Sequence, residues 1–295
     1  MNFEEILEQK IDKTERSIGR YLPREDGFAG KLAQAMNYAM KSGGKRLRPL
    51  ILQESYETFG GCGQEAEPFM AALEMIHTHS LIHDDLPALD DDDYRRGRKA
   101  THVEYGEAFG ILSGDALLNY AYEVALHSFD LTKDYSRTAL ALQILAAKSG
   151  LHGMLGGQSV DVDWEGRPVD KETLQGIYLK KTAALLEAAF MIGAILAGAN
   201  SDQVRAMEQV GRKVGLAFQI QDDILDVTGS TQELGKPAGS DEKNRKATYV
   251  TLYGMEAALS QVKDLSSQAV EILQGVSRGN DFLLQLIQWL MTRNK

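Results

Sequence analysis

Apolar side chains recur at three- and four-residue intervals along nearly the whole chain. Leu32, Met36 and Ala39 form one such set. Phe69, Leu73 and Ile76 form another, as do Leu112, Ala116, Tyr120 and Val124, and Leu283, Ile287 and Leu290. This spacing lines apolar residues along one stripe of a helix. The alternation expected of half-buried strands is scarce. The chain also has only six prolines, so few points where helices must break. The pattern predicts an all-α protein of roughly ten helices. The run Ala183–Ala199 is the most apolar, but it contains Glu187, Gly193 and Gly198. A membrane span needs about 20 apolar residues, so this run reads as a core helix.

Turn-forming residues cluster at Gly60–Gly63, Gly97–Thr101, Asp130–Tyr135, Trp164–Asp170, Ala199–Asp202 and Gly229–Lys246. The last is the longest polar stretch, and loops of that length in a compact domain are functional or disordered. No internal repeat and no linker between blocks of different composition interrupts the chain, so residues 1–295 read as a single domain.

The net charge of −10 argues against general nucleic-acid binding. It also means that an anionic ligand would require local basic pockets. The sole cysteine, Cys62, allows no intramolecular disulfide, which fits a reducing cytoplasm. The stretch MNFEEILEQKID is charged and has no apolar signal core.

Two acidic clusters carry the chemistry. The first runs Asp84-Asp85-Leu86-Pro87-Ala88-Leu89-Asp90-Asp91-Asp92-Asp93, and the second is Asp222-Asp223-Ile224-Leu225-Asp226. Both close strongly apolar helical segments. Asp222 and Asp226 lie one turn apart on a single helix face. Asp84 and Asp90 would sit ~120° out of line on a regular helix, but Pro87 should break that geometry and bring them together. Carboxylates this crowded call for a cation. An oxygen-only donor set suits Mg²⁺, which takes its remaining ligands from water and substrate phosphate.

Basic groups flank both clusters. They are Lys45, Arg46 and Arg48 after Gly43-Gly44; Arg95, Arg96 and Arg98 after the first cluster; Lys180 and Lys181 before Thr182; and Lys236 in the long loop. Guanidinium and ammonium groups suit diphosphate oxygens. His79 and His83 have the i, i+4 spacing of a zinc pair, but no HExxH pattern or nearby cysteine accompanies them. His77 fits a substrate contact better.

Together, the stretches GGKRLRP (43–49), EMIHTHSLIHDDLPALDDDDYRRGR (74–98), GDALL (114–118), GGQSVDV (156–162), KKT (180–182), GLAFQIQDDILD (215–226), GKPAGSD (235–241) and KATYVTLYG (246–254) resemble the trans-isoprenyl diphosphate synthase family, and bacterial farnesyl diphosphate synthases in particular. The resemblance spans most of the chain. It implies a helical bundle around a deep cavity, and a homodimer. It implies Mg²⁺ held by Asp84, Asp90 and Asp222, with Asp226 nearby. It assigns Arg95, Lys181, Thr182, Gln219 and Lys236 to an allylic diphosphate, with Arg95, Lys181 and Lys236 stabilising its departure. It assigns Lys45, Arg48, His77 and Arg96 to isopentenyl diphosphate.

The implied reaction is ionisation of the allylic C–O bond, attack by the isopentenyl double bond and loss of a proton. The 229–246 loop and Arg293-Asn294-Lys295 would act as lids against water. One position departs from the pattern. Bacterial farnesyl synthases usually carry an aromatic residue five positions before the first motif aspartate, where this chain has His79. His79 and Ser80 are thus the expected chain-length determinants, and a geranylgeranyl diphosphate synthase is the alternative. A terpene cyclase would not need Lys45, Arg48 and Arg96, and a non-catalytic subunit would not keep both aspartate clusters.

Overall fold

The computed structural model describes residues 2–229, 247–276 and 279–292. The fold among them is all-α apart from one minimal hairpin. The chain forms two compact units. The first comprises the chain up to Gln53 together with Gly63–Leu142, and the second comprises Glu54–Cys62 together with the chain from Gln143 onward.

The first unit opens with α1 (Phe3–Gly19), whose N-terminus is closed by a capping box. The Asn2 side chain accepts from the Glu5 N–H at 2.9 Å, and the Glu5 carboxylate accepts from the Asn2 N–H at 3.0 Å. Two otherwise unpaired N–H groups are thereby satisfied. Next come α2 (Gly30–Met40), α3 (Leu47–Thr58), which runs on into the second unit, and α4 (Glu67–Asp84). α4 packs along α6 (Glu107–Leu126). Phe69, Leu73 and Ile76 of α4 are fully buried, as are Leu117 and Ala121 of α6. Gly114 lets the two helices approach, since a Cβ there would lie 2.2 Å from the His83 ring.

The stretch expected to be a loop at Gly97–Thr101 is built differently. A two-residue ladder, β1 (Tyr94–Arg95) on β2 (Arg98–Lys99), brackets a tight turn, and α5 (Thr101–Tyr105) begins at once. Arg96 and Gly97 have φ of 52° and 75°. Two consecutive positive φ values are what a two-residue hairpin requires. Beyond α6 lie α7 (Ser128–Leu131) and α8 (Tyr135–Ser149), the latter reaching into the second unit.

In the second unit, α9 (Met154–Asp163) and α10 (Lys171–Ile177) lead to a π-helical turn, Tyr178–Ala183, which runs directly into α11 (Ala184–Ala197). Ala184 to Leu196 is buried without a break, as expected for a helix apolar on all sides. Its one charge, Glu187, pairs with Lys148, which also reaches Glu208 at 2.7 Å. Gly198 ends the helix in a left-handed conformation. α12 (Ser201–Thr228) begins with an Asn200/Gln203 capping box and packs on α11 and on α14 (Met255–Val276). α13 (Tyr249–Tyr253) and α15 (Asp281–Thr292) complete the described helices. No described helix is long and apolar enough to cross a membrane.

Candidate active site

In the first unit, α4 ends at Asp84 and the chain turns sharply through Pro87. The Asp90 N–H donates to the Asp84 carbonyl at 2.8 Å, and the Asp91 N–H to the Leu86 carbonyl at 3.2 Å. Six residues of sequence therefore close into one turn that returns Asp90 to the end of α4. Asp84 is half-buried and Asp90 to Asp93 are exposed. Asp85 is buried and engaged elsewhere, accepting from Arg95 Nε at 2.8 Å, and Arg95 also pairs with Asp92 at 3.1 Å.

The basic loop lies in the same unit. Gly43 and Gly44 have φ of 81° and 130°. Arg96 Nη1 donates to the Gly43 carbonyl, and a Cβ on Gly44 would lie 2.5 Å from the Arg96 guanidinium. The hairpin is thus docked on the loop that carries Lys45 and leads into Arg48 in the first turn of α3. His77, half-buried on α4, registers the outcome. Burial, and then the guanidinium groups of Arg48, Arg96, Arg46 and Arg95, hold it well below the ordinary imidazole range. Four guanidinium groups thus bear on one neutral ring, Arg46 and Arg95 among them paired with carboxylates, and His77 is available as a hydrogen-bond partner at neutral pH.

In the second unit, Lys181 and Thr182 lie in the π-turn, a distortion frequent at functional sites. Lys181 Nζ donates to Asp161 at 2.6 Å, and Thr182 Oγ1 to Gln219 at 2.9 Å. Lys180 is turned to the His152 carbonyl, 2.8 Å away. Gly157 of α9 makes the approach possible, because a Cβ there would fall 2.2 Å from the Lys181 backbone nitrogen.

Asp222 and Asp226 share one helix, with Asp222 half-buried and Asp226 buried. Asp223, between them, is committed to other groups. It accepts from the Tyr178 hydroxyl, from the Tyr249 N–H at 2.7 Å and from Gln219 Nε2 at 3.3 Å. Among the described residues, no three His, Cys, Asp or Glu side chains converge into a ready metal cage. What each unit offers is a partial set of hard oxygen donors. Such a set fits Mg²⁺, which completes its shell with phosphate and water.

His79 is buried, and its Nδ1 lies 3.0 Å from the Gly114 carbonyl. Because a carbonyl only accepts, Nδ1 carries the proton. Burial, and then the neighbouring His83, lower its pKa to about 4. The ring is therefore pinned, neutral, against α6. His83 stacks edge-on against it at 4.6 Å, with its own Nε2 3.1 Å from the Ile111 carbonyl. Ser80 donates to the His77 carbonyl at 2.8 Å. Lys236, the rest of the loop at 230–246 and residues 293–295 lie outside the described residues.

Residues 29–277 match the polyprenyl synthetase family. The chain is 40% identical over 282 residues to a farnesyl diphosphate synthase of Micrococcus luteus, covering 95% of this chain and 94% of that protein. It is 39% identical over 290 residues to a geranylgeranyl diphosphate synthase of Cyanophora paradoxa, covering 98% and 95%. The structure superposes on that of an FPP/GFPP synthase from Zymomonas mobilis with a TM-score of 0.86 and 33% identity, covering 99% of each chain. A family match across most of the chain and near-complete relatives at this identity, over a fold with the same all-helical character, make this protein a member of the polyprenyl synthetase family.

Proposed function

We propose that the protein is a prenyltransferase that condenses isopentenyl diphosphate with dimethylallyl and geranyl diphosphates to give (2E,6E)-farnesyl diphosphate. The observation that carries this reading is the basic cluster formed where Arg96 docks on the Gly43-Gly44 loop that leads into Lys45 and Arg48. A synthase needs a second diphosphate subsite of that kind, whereas a cyclase does not. Lys45, Arg48, His77 and Arg96 hold isopentenyl diphosphate, and Lys181, Thr182, Gln219, Arg95 and Lys236 hold the allylic partner. Asp84, Asp90, Asp222 and Asp226 would hold Mg²⁺, which would supply positive charge to the departing diphosphate.

Lys181 serves the allylic diphosphate by exchanging its Asp161 partner for a phosphate oxygen. Arg95, held in place by Asp85 and Asp92, donates to the diphosphate without reorganising. The allylic C–O bond ionises, the isopentenyl double bond attacks the cation, and a proton passes to the diphosphate. The basic pocket holds the nucleophile and orients it.

The hydrocarbon tail grows along the seam between α4 and α6, and His79 is its floor. A geranylgeranyl product is the second reading, because a pinned imidazole blocks less of that seam than a phenol ring. The protein acts as a homodimer, supported by the exposed apolar side chains Ile111, Leu112, Leu126, Leu131 and Leu140 on α6, α7 and α8 of the first unit. Residues 1–295 act together as one catalytic domain in the cytoplasm. The test is incorporation of labelled isopentenyl diphosphate, with and without an allylic partner and Mg²⁺, followed by chromatography of the dephosphorylated products. Fifteen-carbon farnesol is expected. Incorporation that needs no allylic partner would reject the condensation, and a twenty-carbon alcohol would select the second reading.

A further inference from the structure

Arg46 stands inside the basic loop but takes no part in the substrate assignments above. Its backbone is left-handed, with φ of 49°. A non-glycine residue keeps that conformation only where its surroundings enforce it. Here the enforcement is a side chain held at all three of its nitrogens. Nε donates to Glu15 at 2.9 Å, Nη1 to Glu74 at 2.8 Å, and Nη2 to the Met40 carbonyl at the end of α2. Arg46 is 4% exposed and Glu74 is 1% exposed. A substrate phosphate could recruit this guanidinium only by leaving the Glu74 carboxylate buried and uncompensated. Glu74 also lies three residues before His77 on α4, and so on the same face of the helix.

We propose that the Arg46–Glu74 ion pair is a positioning device for isopentenyl diphosphate. It clamps the glycine-rich loop onto α4 in the one turn that sets Lys45 and Arg48 relative to His77. Arg46 itself touches no substrate. This rests on the reading of Lys45, Arg48, His77 and Arg96 as the isopentenyl diphosphate subsite. An ion pair that served stability alone would leave the balance between the two substrates untouched, so the separation of two KM values is the informative readout.

The experiment compares the full-length wild type with Arg46→Met and with the double variant Arg46→Met/Glu74→Leu. Steady-state kinetics are measured in isopentenyl and geranyl diphosphates, alongside thermal unfolding. The double variant removes both buried charges at similar volume, a replacement that folds commonly tolerate. In both variants KM for isopentenyl diphosphate should rise about tenfold or more, while KM for geranyl diphosphate and kcat at saturation stay within about threefold. The double variant should regain the unfolding temperature that the single variant loses. If the double variant regains the wild-type KM together with its stability, or if both KM values rise in parallel, the positioning role is overturned. Should Arg46→Met fail to fold, the double variant decides alone. An Arg48→Ala arm tests the underlying reading. If it leaves KM for isopentenyl diphosphate unchanged, both readings fall. If it raises that KM and the Arg46 variants do not, only the positioning role falls.

Discussion

The Tyr178 hydroxyl donates to the buried carboxylate of Asp223, tying the π-turn to α12. The same oxygen takes the Tyr249 N–H at the start of α13, and the other oxygen meets Gln219, which in turn receives Thr182. One carboxylate thereby fixes the segment that carries Lys181 and Thr182. A hydrogen bond to a charged group contributes about 1.5–3 kcal/mol. Tyr178→Phe should therefore lower the unfolding temperature by several degrees and raise KM for the allylic diphosphate more than for isopentenyl diphosphate. A melting curve that superimposes on the wild type would remove Asp223 from the role of anchor.

Gly157 should be intolerant of even one methyl group. Its Cβ would meet the Lys181 nitrogen, a backbone atom that cannot swing aside. Gly157→Ala should displace the π-turn and reduce kcat/KM for the allylic diphosphate by about tenfold or more, since small misplacements of binding groups can cost this much. Full activity at unchanged stability would mean that the approach of α9 is incidental.

Asp84→Ala and Asp222→Ala should each lower turnover by ~10²-fold or more, the usual scale for losing a strong electrostatic contact in a reacting site. Their circular dichroism should match the wild type, because both residues are half-buried, Asp84 at the last position of α4 and Asp222 in the closing turns of α12. Near-normal turnover of either variant at saturating Mg²⁺ would contradict the proposed ligand set.

Acid should weaken the fold partly through His79. The folded protein keeps this ring neutral until pH falls to about 4, against an ordinary value of 6.5. Between those values the unfolded chain binds a proton that the folded chain excludes. Stability from this group is thus complete above pH 6.5 and declines as pH drops toward 4, by up to about 3 kcal/mol. His77, also held low, acts in the same direction. Unfolding temperature measured from pH 7.5 to 4.5 should fall less steeply in His79→Phe than in the wild type. Parallel curves would show that His79 contributes nothing to the pH dependence.

The sequence was most readable where local pattern and tertiary demand coincide. The apolar run at 183–199 becomes α11, buried from Ala184 to Leu196, and the break at Pro87 returns Asp90 to Asp84, because each depends on neighbours in the chain. Three features lay beyond such reading. Asp222 and Asp223 are chemically identical in the sequence, and only the ~100° between successive helix positions, combined with where Tyr178 stands, gives Asp223 a different task. The hairpin at 94–99 is too short and too charged to alternate. The π-turn packs closely against Gly157 and has no spacing signature of its own. Arg46 left a faint trace, since Glu74 is an unexplained acid within an apolar helix, and a buried acid requires a partner.

The interleaved composition of the two units bears on how the chain must fold. Ser55 donates to the Phe190 carbonyl across 135 residues, and Asn280 donates to Glu54 across 226. A ribosome therefore releases Glu54–Cys62 long before α11 and α15 exist to receive it. A single cut at Leu142 would leave the later portion without this segment. Contacts of such sequence separation slow folding, because the intervening chain must be ordered before they form. The second unit should thus acquire its native packing only after synthesis is nearly complete.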